Sequence, residues 1–202
     1  METEIQETKA ALRTRMRAVL KNVPSSVRAM GSAELVVRLK EQPVYSNARA
    51  VLFFAPLPEE PDVWPLLEAA LAAGKTVALP RYSAATESYG PCRVRDLAAD
   101  LRVGQYKIRE PSPACAEQPL DSLDLVLVPG LAFGLRGGRL GRGRGFYDQL
   151  LRQVRGVKCG IAFDSQLVTE LPLDARDVRV DCVLTPARWV DFRSGAGLET
   201  AG

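Results

Sequence analysis

Seven of the chain's 16 glycines fall between Gly130 and Gly145, interleaved with Arg136, Arg139, Arg142 and Arg144. Glycine lets the backbone adopt positive φ and approach a ligand with no Cβ in the way. Arginine adds a rigid fork of donors that matches phosphate and carboxylate oxygens. An apolar run, LDLVLVPGLAF, leads into this tract. Phe146, Leu150 and Leu151 follow it at helical spacing, which predicts a helix over about 145–155. A helix start turns free N–H groups and a partial positive charge toward a bound anion. Strand, glycine–arginine loop and helix together suit a nucleotide's phosphates. The tract is neither a GxxxxGK[ST] nor a GxGxxG pattern, so an RNA contact and a purely structural turn stay open beside phosphate binding. Its short span between an apolar strand and an amphipathic helix favours an ordered loop over a flexible RNA-binding arm.

The chain contains no histidine. That removes Ser–His and Cys–His nucleophilic schemes, zinc sites of the histidine type and imidazole acid–base catalysis. What is left for chemistry is carboxylates, Lys, Arg, Tyr, backbone N–H groups and a hard metal ion. Cys92, Cys115, Cys159 and Cys182 are widely separated with no CxxC or zinc-type pair, and the last two lie in strand-like runs, the usual setting of a small buried thiol. The net charge of +3 is too small to imply nucleic acid by itself. The basic charge is nonetheless concentrated, in the glycine–arginine tract and in Lys9, Arg13 and Arg17, which share one stripe of an N-terminal helix.

The elements that must position these groups follow from hydrophobic period. Ile5, Leu12, Met16, Val19 and Leu20 place one apolar face on a helix over 3–21, and a second helix is expected over 26–41, closed by Pro43. Ala50–Phe54 is a buried strand, followed by the loop PLPEEPD, a helix carrying Val63, Leu66, Leu67, Ala70 and Leu71, a stop at Gly74, and a strand over 75–79. Strand, helix and strand at this spacing argue for a βαβ unit and a largely parallel sheet. Residues 82–122 are read as a hairpin strand, a short helix and loop. Further strands are expected over 123–128, 158–163 and 178–184. With 47% hydrophobic and 25% charged residues the chain can bury a proper core, and it is read as one domain over 1–190 with a flexible tail over 191–202. No apolar run approaches the roughly 20 residues that span a bilayer, and the N-terminus lacks a signal peptide's apolar core, so a cytoplasmic protein without membrane partners is expected. Ligands gather at the C-terminal ends of parallel strands. Three loops of functional composition, PLPEEPD, PRYS and GLRGGRLGRGRG, follow strands here, which favours a single cleft.

The run VPGLAF…GGRLGRGRGFYDQLL resembles the signature of the 5-formyltetrahydrofolate cyclo-ligase family. Lys9 and Arg13 match that family's K-x-x-x-R, Glu59 in PLPEE its loop glutamate, and LPRY at 79–82, REP at 109–111 and LPLDARDVRVDCVLTP its later segments, so the resemblance spans about 5–186. It implies a three-layer α/β/α fold with a mostly parallel sheet, of the NagB/RpiA/CoA-transferase-like kind. It also implies an ATP- and Mg2+-dependent conversion of 5-formyltetrahydrofolate to 5,10-methenyltetrahydrofolate with release of ADP and phosphate. Carried over by position, ATP would be bound by Lys9, Arg13 and the loop Arg139, Leu140, Gly141, Arg142, Gly143, Arg144, Gly145, Phe146 and Tyr147. Arg142, Arg144 and Tyr147 would be catalytic, with Phe54, Glu59 and residues 142–146 on the folate. Asp148 and Asp181 would hold Mg2+, and Asp148→Ala would abolish turnover and leave the fold intact. The partner expected is the folate, with or without a polyglutamate tail, on a monomer that needs no nucleic acid. The alternative is a non-catalytic RNA- or nucleotide-binding protein of the same fold.

Overall fold

The computed structural model describes residues 2–104 and 107–193. Its first third holds α1 (Glu2–Lys21), α2 (Ser25–Glu41), α3 (Pro43–Ser46), β1 (Ala50–Leu52) and α4 (Trp64–Ala72). There follow β2 (Thr76–Ser83), β3 (Ser88–Val94), β4 (Leu101–Val103), β5 (Arg109–Pro111), β6 (Leu125–Val128), β7 (Ala132–Gly134) and β8 (Arg139–Leu140). The chain closes with α5 (Phe146–Leu151), β9 (Val157–Ile161), β10 (Leu167–Val168), β11 (Cys182–Leu184) and β12 (Trp189–Asp191).

The main sheet has the order β12-β11-β9-β6-β1-β2-β3. Its five inner strands pair in parallel, and the two edge strands run antiparallel to their neighbours. The parallel sheet expected from strand–helix–strand alternation is therefore present. The central strand, LVLV, is buried along its whole length, because a parallel strand is covered on both faces. Leu125 and Leu127 meet Leu35 and Leu39 of α2 and Leu66, Leu67 and Ala70 of α4. Val126 and Val128 point the other way, to Leu150 and Leu151 of α5 and to Val154. Each such aliphatic side chain contributes about 1.5–3 kcal/mol when fully removed from water. Two faces covered by helices make the three layers.

The remaining elements depart from sequence expectation in instructive ways. α1 covers neither face of the main sheet: Met16 and Leu20 pack on Leu131, Ala132, Leu140 and Phe163, with Val19 at the rim, 36% exposed. Leu131 and Phe163 lie just beyond the C-terminal ends of β6 and β9, so α1 is laid across that edge of the sheet. The glycine-rich tract is also not one loop. Ala132–Phe133 pairs with Arg139–Leu140 as a small hairpin, extended by β10, which buries Arg139 and Leu140. Local glycine content masked these strands of two and three residues, which pair with each other while β10 pairs with β7. The second strand of the βαβ unit runs on to Ser83 and turns back into β3, and α5 is shorter than expected. β12, absent from the sequence reading, includes Asp191; the tail expected from there lies, beyond Arg193, outside the described residues.

Gly156 fixes the return from α5 to β9. A Cβ there would stand 2.1 Å from the Leu123 carbonyl oxygen and 2.6 Å from that of Asp124, both backbone atoms that cannot swing aside. Gly156→Ala is expected to lower stability by about 3 kcal/mol. The check is a denaturant midpoint that falls while the slope stays constant.

Candidate active site

Because α1 crosses the carboxyl edge of the sheet, its basic stripe faces the loops that leave the strands. The space between is a cleft of about 690 Å³. Gln6, Lys9, Arg13 and Arg17 line it from α1, the tract from Arg139 to Asp148 lines it from the loop, and Phe54, Tyr89 and Glu110 complete the lining. The two basic features that the sequence placed 130 residues apart thus share one site.

Local contacts show how the loop is shaped. Arg13 Nε donates to the Gly141 carbonyl at 3.1 Å and Arg17 Nη2 to that of Arg142 at 3.3 Å. With these carbonyls occupied by α1, and with Gly143 at φ 105° and Gly145 at φ 71°, the loop takes a path that side chains with a Cβ rarely follow. Arg142 and Arg144 are exposed within the cleft. Phe146 stacks edge-on against Tyr89, with centroids 5.1 Å apart, and against Tyr82 at 6.0 Å, giving the cleft an aromatic end.

Each cleft carboxylate is engaged. Arg139, 3% exposed at its side chain, pairs with Asp148 at 2.9 Å and lies 5.5 Å from the Tyr147 ring centroid. The other oxygen of Asp148 accepts from the Val178 N–H. Glu60, also buried, receives Arg142 Nη2 at 2.9 Å and Nε at 3.2 Å through Oε1, while Oε2 accepts from the Leu57 N–H. Lys9 is 3% exposed and donates to both Asp174 and Asp177. The hydrogen bond from Lys9 and that from the Arg176 N–H hold the Asp174 carboxyl well below the usual carboxylate range. Burial, reinforced by the charge of Glu60 and opposed by Arg139, pushes the Tyr147 phenol far above its ordinary value. Tyr147 therefore remains protonated in neutral water, a hydrogen-bond donor and not a base.

The sequence-derived residues are distributed as follows. Lys9, Arg13, Phe54 and the whole run from Arg139 to Asp148 line the cleft. Glu59 does not; its neighbour Glu60 does. Asp181 is not brought to the cleft either. It sits at the entry of β11, accepting from the Lys158 N–H at 2.7 Å, with Lys158 Nζ 3.8 Å away. In a parallel sheet the residues entering a strand lie at the edge opposite the loops that leave it. Among the described residues no three His, Cys, Asp or Glu side chains converge as a metal cage. Asp148, one of the carboxylates that line the cleft, is of a type that suits Mg2+, which takes one or two protein carboxylates and completes its shell with water and phosphate oxygens. The expectation that Asp148→Ala leaves the fold intact does not survive this geometry, since it would strand buried Arg139. Sequence reasoning missed Arg17, Glu60, Tyr89, Glu110, Asp174 and Asp177 as site-lining residues. Arg17 was legible as the third member of the basic stripe; Glu60 could not be told from Glu59, and the aspartates carry no local signature.

A mostly parallel α/β sheet with a basic, glycine-shaped cleft at its carboxyl edge defines an α/β protein whose cleft suits an anionic ligand. The model of the 5-formyltetrahydrofolate cyclo-ligase family matches residues 5–186, and the chain belongs to that family. It is 34% identical to the 5-formyltetrahydrofolate cyclo-ligase of Mycolicibacterium smegmatis over 91% of this chain and 96% of that one. The Escherichia coli K12 cyclo-ligase is 33% identical, over 88% and 97%. In three dimensions the chain resembles the NMR structure of Aquifex aeolicus 5,10-methenyltetrahydrofolate synthetase, with a TM-score of 0.84 and 33% identity, covering 95% of this chain and 96% of that one. No helix of the described residues is long and apolar enough to cross a membrane.

Proposed function

We propose that the cleft binds ATP and 5-formyltetrahydrofolate together and converts the folate to 5,10-methenyltetrahydrofolate with release of ADP and phosphate. The observation that carries this reading is that the glycine–arginine loop and the α1 basic stripe line one cleft, together with the aromatic pair Tyr89 and Phe146. A formamide oxygen is a poor leaving group, so it must first accept the γ-phosphoryl group. N10 then attacks the formyl carbon and forms the new C–N bond, its proton passes to the departing phosphate or to water, the C–O bond breaks with loss of phosphate, and the ring closes. Such a transfer depends on alignment and on neutralising charge that spreads over the phosphoryl oxygens. Arg142 and Arg144 supply that charge from the loop, and Lys9 and Arg13 supply it from α1. Tyr147, held protonated, has a hydroxyl proton to offer and does not act as a base toward the folate. Glu60 takes the folate-side role expected of Glu59. Its paired Arg142 then joins the folate end of the cleft to the phosphate end. Mg2+, bound with the nucleotide against Asp148, would add charge neutralisation and orient the phosphates.

The test is direct: protein, ATP, Mg2+ and 5-formyltetrahydrofolate are mixed and methenyl absorbance is followed. Product is expected only with all components present, at one ADP per methenyl group, and a chelator should stop it. Product in the absence of ATP would defeat the proposal. The RNA-binding alternative predicts instead micromolar, salt-dependent RNA affinity with no methenyl product.

A further inference from the structure

The segment REP at 109–111 forms β5, and of its three residues Glu110 lines the cleft. Glu110 is 5% exposed and stands opposite Arg102 in the β4–β5 pair. Its Oε2 accepts from the Tyr82 N–H at 3.3 Å. The Tyr82 ring packs on Tyr89 with centroids 5.3 Å apart and on Phe146 at 6.0 Å, so the carboxylate lies beside the aromatic group of the cleft. Gly104, just past β4, makes room for it: a Cβ there would stand 2.5 Å from Glu110 Cδ. An ionised carboxylate accepts at about four lone-pair positions, so the bond from Tyr82 does not exhaust it.

Both ligands of the proposed reaction carry a flat heterocycle, and only one of them matches a carboxylate. Adenine presents its 6-amino donor next to the lone pair of N1, which a carboxylate oxygen repels. The pyrimidine ring of the pterin presents a 2-amino group and N3–H side by side. Two parallel donors meeting two carboxylate oxygens is the fork geometry of an arginine–carboxylate pair. We infer that Glu110 accepts hydrogen bonds from the 2-amino group and N3–H of the pterin and is a specificity-determining residue of the folate subsite. This rests on the reading that the cleft binds 5-formyltetrahydrofolate. The rings of Tyr89 and Phe146 offer the pterin an aromatic surface. N5 and the C6 substituent that bears N10 belong to the other ring of the pterin, so a grip on the pyrimidine edge turns the reacting atoms away from Glu110.

The experiment measures equilibrium binding of two ligands, 5-formyltetrahydrofolate and its 2-desamino-2-methyl analogue, to wild type and to Glu110→Gln. The analogue keeps the shape and loses one donor. Wild type is expected to bind it about 30-fold more weakly, the size of a hydrogen bond to a charged acceptor. Glu110→Gln, which sets an amide against the donor edge, should bind 5-formyltetrahydrofolate about 30-fold more weakly and prefer it over the analogue by less than about threefold. Its KM for ATP should stay within about twofold of wild type. A purely structural glutamate would weaken both ligands alike and leave their ratio at the wild-type value, and that result would overturn the inference. Equal wild-type affinity for the two ligands would overturn it without any variant. Wild-type protein that binds no 5-formyltetrahydrofolate would defeat the parent reading and this one with it, whereas binding without discrimination defeats this one alone.

Discussion

Asp148→Ala is expected to lose both turnover and stability, and the two losses should separate. The carboxylate is the partner of Arg139, whose side chain is 3% exposed and whose Nε finds no acceptor among the described residues. Removing one member of a buried pair leaves the other charge uncompensated, at about 3–5 kcal/mol. The same change takes away the cleft carboxylate proposed to hold Mg2+, and on that proposal the loss of an electrostatic contribution of this kind lowers kcat by about 10²–10³. Arg139→Met in the Asp148→Ala background should restore much of the melting temperature, since neither charge is then stranded, without restoring methenyl formation. If the double variant regained activity, Asp148 would matter only as Arg139's counter-ion.

The second large effect distinguishes two adjacent glutamates. Glu60→Ala removes two hydrogen bonds from Arg142 and the one that closes the loop onto the Leu57 N–H. At about 2 kcal/mol or more for a buried charged acceptor, kcat/KM for 5-formyltetrahydrofolate should fall by about 30-fold or more. Glu59→Ala, one residue away and outside the cleft lining, should change it by less than about twofold. Equal effects from the two variants, or a larger one from Glu59, would restore the sequence-based assignment. The two glutamates sit in a turn closed by the Glu60 N–H on the Leu57 carbonyl, and composition gives both the same chemistry, so only the path of the backbone can choose between them.

Much of the fold was legible because its signals are local. The apolar run expected over 123–128, the helical period of 63–71 and the stop at Gly74 each depend on neighbours a few residues away, and each element is present, the strand over Leu125–Val128. What escaped were elements whose existence depends on a distant partner. The two-residue strand at 139–140 forms because Ala132 and Phe133 lie beside it and β10 extends the ribbon. β12 is held at the edge by β11. Neither segment is long enough to show a period of its own.

The site divides along the same line. Residue types were set by the sequence: no histidine, a glycine–arginine tract, a lysine and two arginines at helical spacing. Those facts exclude imidazole chemistry and point to phosphate by residue type alone. Which side chains meet was decided by tertiary structure. Laying α1 across the carboxyl edge of the sheet brought Arg13 and Arg17 onto the carbonyls of Gly141 and Arg142, and Lys9 between Asp174 and Asp177. It was decided there too that Glu60 rather than Glu59 reaches Arg142, and that Asp181 stays with Lys158. Spacing along a helix fixes which residues share a face, but which face meets which loop depends on packing between segments more than a hundred residues apart.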